Sequence, residues 1–160
     1  PVLFAEDAAA LRDELAQLPA DARVLVDTAS ADHHDEAALA ALGKSLDAAG
    51  VAHRVLVMAM DMSEELRQLT LSAFAALRPS GVVTTRVDTL AQPGLLASWL
   101  CRQDLPWLGS SISRDHAAAW QAADTGALAA RIAVRWPLAA AVPVPEHVER
   151  WSWSAQRRTA

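Results

Sequence analysis

The sequence has a single cysteine, Cys101, among 160 residues, and it has no long apolar run. One cysteine cannot form an internal disulfide, so we expect the protein to occupy a reducing compartment. No apolar stretch approaches the roughly 18 residues of a membrane span, and residues 1–20 lack the basic start and apolar block of a signal peptide. The net charge of -5 leaves no broad basic surface, so we expect no nucleic-acid partner.

The chain also lacks an initial methionine: Pro1 stands first, which predicts that it is processed or cut from a longer protein. Hydrophobic residues make up 52% of the sequence. A chain of this length and composition is long enough to fold as one domain and to bury a core.

Short apolar runs alternate with segments whose apolar residues recur at helical spacing. We predict strands at Val2–Phe4, Arg23–Val26, Val55–Met60, Val82–Thr85 and Leu105–Leu108. We predict helices at Glu6–Leu18, Asp35–Ala49, after a Ser63 cap, at Gly94–Arg102, near Asp115–Ala122 and at Thr125–Arg135. Strands separated by helices of this length indicate βαβ units, and so predict an α/β fold with three α/β/α layers and a mainly parallel sheet.

The pattern decays from Trp136 onward. We therefore divide the chain into a domain over residues 1–135 and a linker with a weakly ordered tail over residues 136–160. Trp151 and Trp153 in that tail either dock on the domain or form a short partner-binding segment, and docking is the preferred interpretation.

Metal-capable side chains follow one another at Asp32, His33 and His34, with Asp35 and Glu36 next. This triplet is similar to that of the DHH phosphoesterases, which hold two metal ions and activate water. No His-x-Asp-x-Asp run accompanies it here, and acids at this position are explained by capping of the helix that follows. A metal phosphoesterase is therefore the weaker hypothesis.

Several other motifs, in their order and spacing, resemble a nucleotide-binding family. They are "VLVDTAS" (Val24–Ser30), "GVVTTRVDT" (Gly81–Thr89), "DLPWLGSS" (Asp104–Ser111) and "AADTGALAARI" (Ala122–Ile132). They resemble the "DTAG" segment, the "TKLD" guanine-specificity loop, the closing loop against the base and the final helix of the signal-recognition-particle family of GTPases. Within that family the likeness is to FlhF, the GTPase that places and counts flagella.

The resemblance implies part of a signal-recognition-particle-type (SIMIBI) G domain that binds GTP or GDP with Mg²⁺. It assigns nucleotide contacts to Asp27, Thr28, Ser30, Thr85, Arg86, Asp88, Gly109 and Ser110, and Mg²⁺ to Asp27. It also implies a nucleotide-dependent switch in flagellar placement or biogenesis, located in the cytoplasm or at the membrane of the cell pole. The implied partner is a second copy of the chain, or an ATPase or GTPase of the flagellar placement system.

Departures from the family pattern point to a divergent or degenerate GTPase. The chain contains no Gly-x-x-x-x-Gly-Lys phosphate loop. Ser30 replaces the glycine of "DTAG", Ala31 replaces the arginine that follows, and Arg86 replaces the lysine of "TKLD". We therefore expect no GTP hydrolysis by this chain alone, and we keep as the alternative a pseudo-GTPase that acts only as an interaction module.

The resemblance also makes a prediction about the sheet. In the family, the phosphate-loop strand lies between the strands that correspond to Arg23–Val26 and Val55–Met60. Unpaired buried backbone groups cost about 1–3 kcal/mol each, so a gap of one strand cannot stay open. We expect these two strands to pair directly in parallel, or a strand of another chain to lie between them.

Overall fold

A computed structural model of the chain describes residues 2–113, 115 and 119–135. Its helices are α1 (Ala8–Ala16), α2 (Glu36–Ala48), α3 (Glu64–Phe74), α4 (Pro93–Leu100) and α5 (Thr125–Arg135). Its strands are β1 (Val55–Ala59), β2 (Gly81–Thr85), β3 (Trp107–Ser111) and β4 (Trp120–Ala122), and two 3₁₀ turns cover Ala75–Leu77 and Val87–Thr89. The predicted α/β class is confirmed.

The four strands form one mostly parallel sheet in the order β1-β2-β3-β4. β1 and β2 pair in parallel, from Val55 opposite Gly81 to Ala59 opposite Thr85. β3 is parallel to β2, and β4 is antiparallel to β3. The carboxyl ends of β1, β2 and β3 therefore meet along one side of the sheet, which we name the carboxyl edge.

The core lies on one face of the sheet. Leu56 and Met58 of β1 are buried on that face, and the parallel register places Val82 of β2 beside them. The opposite face of β1 is open, since Val55 is 46% exposed and Val57 is 63% exposed. The predicted helix layers on both faces are therefore not seen over β1 in the described residues.

Helices supply further core side chains. Leu39 and Leu46 of α2, and Leu96 and Trp99 of α4, are all at least nine-tenths buried. Full burial of a large apolar side chain stabilises a fold by about 1.5–3 kcal/mol. The buried apolar side chains of these two helices therefore account for much of what the helices contribute to stability.

The helix starts follow from local capping, as predicted. The carboxylate of Asp35 accepts a hydrogen bond from the Ala38 amide at 2.9 Å, and the Ser63 hydroxyl accepts one from the Leu66 amide at 3.2 Å. α2 ends before Gly50, whose φ of 70° is the left-handed conformation that glycine adopts at helix ends.

An arginine pair attaches α2 to the sheet. Arg54, which precedes β1, donates hydrogen bonds to the Asp47 carboxylate and to the Leu77 carbonyl, the latter at 3.0 Å. Arg78 also donates to Asp47, at 2.8 Å. The hydrogen bond from Arg54 is the main reason that the pKa of Asp47 lies below its ordinary value of 3.8.

The predicted strand Arg23–Val26 is wrong. Residues 22–32 contain no regular secondary structure, Leu25 is fully exposed and Val24 is 45% exposed. The four-residue run satisfies the apolar pattern, but a strand also needs a partner edge, and no described strand pairs with this segment.

The predicted pairing of Arg23–Val26 with Val55–Met60 is therefore also wrong. Among the described residues, β1 pairs with β2 only. No second chain is present, so the alternative of a strand from another chain stays a prediction.

Three further predicted elements, one near the chain start and two around β3, differ from the structure. Val2–Phe4 is not a strand, and Phe4 is 89% exposed. The fifth predicted strand, Leu105–Leu108, lies instead at Trp107–Ser111. The predicted helix near Asp115–Ala122 does not hold over its last residues, Trp120–Ala122, which form β4 on the edge of β3, and its residues 116–118 lie outside the described residues.

The chain divides into two compact units, one ending at Asp124 and the other beginning at Thr125. The second unit begins with α5, which has the predicted bounds Thr125–Arg135. The predicted tail over residues 136–160, with Trp151 and Trp153, lies outside the described residues. None of the helices described here is both long enough and apolar enough to cross a membrane.

Candidate functional site

The carboxyl edge is where open parallel sheets place their ligands. Two loops meet there, one after β1 and one after β2. They are joined by the Met60 amide, which donates a hydrogen bond to the Thr85 carbonyl at 3.0 Å. Met60 itself is buried, with 1% of its surface exposed. The end of β2 is therefore held against the end of β1 by the backbone and by packing.

Arg86 turns the chain at the end of β2. Its φ of 57° and ψ of 29° are left-handed, which is uncommon for a residue other than glycine. The Thr89 hydroxyl donates to the Arg86 carbonyl at 2.7 Å and closes the short 3₁₀ turn. An ion pair of 2.9 Å joins Arg86 Nη1 to Asp61 Oδ2 and connects the two loops through side chains as well.

Asp88 lies on the exposed side of this turn. Val87 beside it is buried, with 4% of its surface exposed, so its packing in the core anchors the turn. The Asp88 carboxylate is exposed, and it forms no hydrogen bond or ion pair with any residue that the structure describes. A free carboxylate in a fixed turn accepts two N–H donors from a ligand.

Two residues of the site were not predicted from the sequence. Asp61, which holds Arg86, follows β1 after one residue. Arg67 of α3 donates through Nη1 to the Met62 carbonyl and to the Met60 carbonyl, the latter at 3.1 Å. A polar residue directly after a parallel strand marks Asp61 in the sequence. No local pattern marks Arg67, because its partners are backbone atoms of a loop whose path is set by packing.

Gly109 and Ser110 do not lie in a closing loop as the resemblance implied. Both are inside β3, and the hydroxyls of Ser110 and Thr84 lie 2.6 Å apart in the buried sheet. A Cβ on Gly109 would lie 2.5 Å from the backbone oxygen of Gln121, so β4 needs a glycine there. Ser110 is 2% exposed and has its hydrogen-bond partner. Neither residue is available to a ligand in this arrangement.

Asp27, Thr28 and Ser30 are not brought to the end of a strand. All three lie in the irregular segment before α2 and are exposed. Their side chains form no hydrogen bond or ion pair within the described part of the chain. Of the eight residues that the resemblance assigned, the structure brings together Thr85, Arg86 and Asp88.

The triplet Asp32, His33 and His34 forms a compact group before α2, which we name the histidine cluster. Asp32 Oδ1 accepts a hydrogen bond from the His34 amide at 2.9 Å and lies 3.3 Å from His33 Nδ1. The His34 amide is the main reason that the pKa of Asp32 lies below its ordinary value of 3.8. One metal-capable atom from each residue lies within 4.8 Å of the other two. Asp27, to which the resemblance assigned Mg²⁺, is not part of this group.

The chemical groups at the carboxyl edge are suited to binding a ligand through hydrogen bonds and stacking. It presents the Asp88 carboxylate, which has no partner among the described residues, the planar guanidinium of Arg86, whose side chain is 65% exposed, and the backbone of Thr85, whose carbonyl accepts from the Met60 amide. No family model matches the chain, and no curated protein matches it.

Proposed function

We propose that the carboxyl edge binds the base of a guanine nucleotide, with Asp88 as the residue that reads the base. The observation that carries this proposal is the exposed Asp88 carboxylate, which has no partner among the described residues and stands in a turn fixed by Val87. The N1–H and exocyclic amine of guanine are two parallel donors, and a carboxylate offers two acceptors to match them.

Arg86 has a complementary role in this proposal. Its guanidinium is held at one nitrogen by Asp61, at 2.9 Å, and its side chain is 65% exposed. A guanidinium fixed in this way presents a flat face on which a purine ring stacks. The Asp61–Arg86 pair therefore orients the base, and Asp88 selects guanine over adenine.

In the wider form of the proposal, the chain is part of a divergent FlhF-like G domain of the signal-recognition-particle type, acting in flagellar placement or biogenesis. The support comes from the "TTRVD" segment, Thr84–Asp88, and from its place at the carboxyl end of a parallel strand. The "DTA" segment gives no support, because Asp27 does not follow a strand. Mg²⁺ coordination by Asp27 therefore has no structural argument behind it.

A second candidate function is a pseudo-GTPase that binds partners and does not turn over nucleotide. The sequence feature that favours it is the lack of a phosphate loop, since phosphoryl transfer needs a phosphate cradle and a Mg²⁺-binding hydroxyl. We expect no GTP hydrolysis by the 160-residue chain above the uncatalysed rate. Hydrolysis that disappears in Asp27→Ala would contradict this expectation.

Exchange of the base tests the guanine proposal. In Asp88→Asn one acceptor becomes a donor, so the site loses its fit to guanine and gains a fit to xanthine. Direct calorimetric titration of the unaltered chain and of the variant with GDP and with XDP should show at least a tenfold shift in preference toward XDP. Asp104→Asn, an exposed aspartate at the start of the loop before β3, is the matched control and should leave the preference unchanged. Equal affinity of the unaltered chain for ADP and GDP would contradict the proposal.

A further inference from the structure

The histidine cluster is not used by the proposed nucleotide site, and capping accounts for only part of it. Asp35 is the cap of α2, through its hydrogen bond to the Ala38 amide. Asp32 stabilises the preceding turn through the His34 amide. Neither role requires the two imidazole rings, whose centroids lie 3.9 Å apart with an interplanar angle of 41°.

His33 is held inward although one of its nitrogens has no partner. Its side chain is 20% exposed, and Nε2 is shielded from solvent without a hydrogen bond in the described structure. An unpaired buried polar group costs about 1–3 kcal/mol. The other nitrogen, Nδ1, lies beside Asp32 Oδ1, so a ligand atom of the ring and one of the carboxylate stand together.

The separation of these two atoms matches that of two ligands on one ion. Nδ1 of His33 and Oδ1 of Asp32 lie 3.3 Å apart. For tetrahedral zinc with bonds of about 2.0–2.1 Å, two ligand atoms lie about 3.3–3.4 Å from each other. His34 is exposed, and it completes a group in which one ligand atom from each of the three residues lies within 4.8 Å of the other two.

We propose that Asp32, His33 and His34 bind one borderline divalent cation of the Zn²⁺ class, with the fourth position open to water. Two imidazoles and one carboxylate suit zinc and its neighbours in the transition series, whereas magnesium and calcium prefer oxygen ligands. The exposed side chains of Asp32 and His34 leave the ion open to solvent. The site is mononuclear, and this distinguishes it from the two-metal phosphoesterase hypothesis.

Zinc binding to the 160-residue chain, measured by competition with a chromophoric chelator, tests the proposal. All variants carry Cys101→Ser, because an exposed free thiol can bind zinc on its own and would obscure the stoichiometry. We expect one Zn²⁺ per chain, with at least tenfold weaker binding in His33→Ala and in His34→Ala. Excess Mg²⁺ should not compete. Co²⁺ in place of Zn²⁺ should give the intense visible absorption of a tetrahedral site.

Two further variants separate ligation from folding. Asp32→Asn keeps an oxygen acceptor for the His34 amide and loses the charge, so it should preserve α2 by circular dichroism and weaken zinc at least tenfold. His53→Ala removes an exposed histidine outside the cluster and should bind zinc unchanged. Retention of zinc in the His33→Ala/His34→Ala double variant, or equal loss in His53→Ala, would overturn the proposal. So would a chain that binds no zinc.

Discussion

Two apolar runs of similar composition differ in secondary structure and in burial in this protein. Val24–Val26 is in no strand and exposes Leu25 completely, whereas Val55–Val57 lies in β1 with Leu56 buried. The difference is what surrounds each run. β1 pairs with β2 along five residues and packs its inner face on the core, and the earlier run pairs with no strand that the structure describes. Tertiary pairing, and not composition, decides which apolar run becomes a strand.

The strongest test of that comparison replaces one large apolar side chain in each environment. Trp99 of α4 is 1% exposed and Leu25 is fully exposed. We expect Trp99→Ala to lower the free energy of unfolding by about 3–5 kcal/mol, through lost burial and the cavity left behind. Leu25→Ala should change it by less than about 0.5 kcal/mol. Urea denaturation measures both, and a large loss in Leu25→Ala would mean that the N-terminal segment packs in solution.

Two glycines of the first unit, one tightly packed and one in open space, extend this comparison. Gly109 in β3 has φ of 154°, and a Cβ there would meet both the Gln121 backbone oxygen and the Trp120 ring. Gly109→Ala should cost about 1–3 kcal/mol for the overlap, with backbone strain of similar size added. Gly94→Ala in α4 meets nothing within 4 Å and should be neutral or stabilising. Thermal unfolding of both variants measures the difference, and equal behaviour would contradict the β3–β4 pairing.

A smaller effect is expected at the buried hydroxyl pair. Thr84→Val leaves the Ser110 hydroxyl, 2% exposed, without its partner at 2.6 Å. We expect a loss of about 1–3 kcal/mol from the unpaired group. The double variant Thr84→Val/Ser110→Ala removes both hydroxyls and should recover part of that loss in urea denaturation. A double variant less stable than the sum of the single changes would show that the pair is not the main interaction there.

The smallest effect concerns pH. Because the pKa of Asp47 is lowered in the folded chain, its interaction with Arg54 and Arg78 is fully present above the ordinary value of 3.8 and is lost as pH falls below it. Unfolding followed by circular dichroism from pH 6 to pH 3 should therefore show a component that Asp47→Asn removes. Asp27→Asn should leave the profile unchanged, since the Asp27 side chain has no partner in the described residues. An unchanged profile in Asp47→Asn would contradict the attachment of α2 by this carboxylate.

Local patterns predicted most of the fold. The helix bounds around α2, α3 and α5 and the strands β1 and β2 agree with the structure, because caps and apolar spacing are encoded within a few residues. β4 was predicted as part of a helix, because its pairing with β3 depends on an edge that local spacing does not reveal. The same physics explains the failure at Arg23–Val26.

The candidate site also combines residues that were named from the sequence with residues that were missed. Thr85, Arg86 and Asp88 were assigned through the resemblance of "TRVD" to "TKLD", and the structure places them at the end of β2 and just after it. Asp61 and Arg67 were missed because their roles depend on contacts between two loops. The resemblance placed Ser110 in a closing loop against the base, but β3 continues to Ser111 and buries Ser110 instead.

The most direct test of the central claim is a GDP titration of the isotope-labelled 160-residue chain, followed through its backbone amide resonances. We expect GDP to move the amides of Thr85–Thr89 and of Asp61, ADP at the same concentration to leave them in place, and Asp88→Asn to abolish the GDP response. Shifts confined to residues 27–30, or identical responses to GDP and ADP, would contradict the assignment of guanine recognition to Asp88.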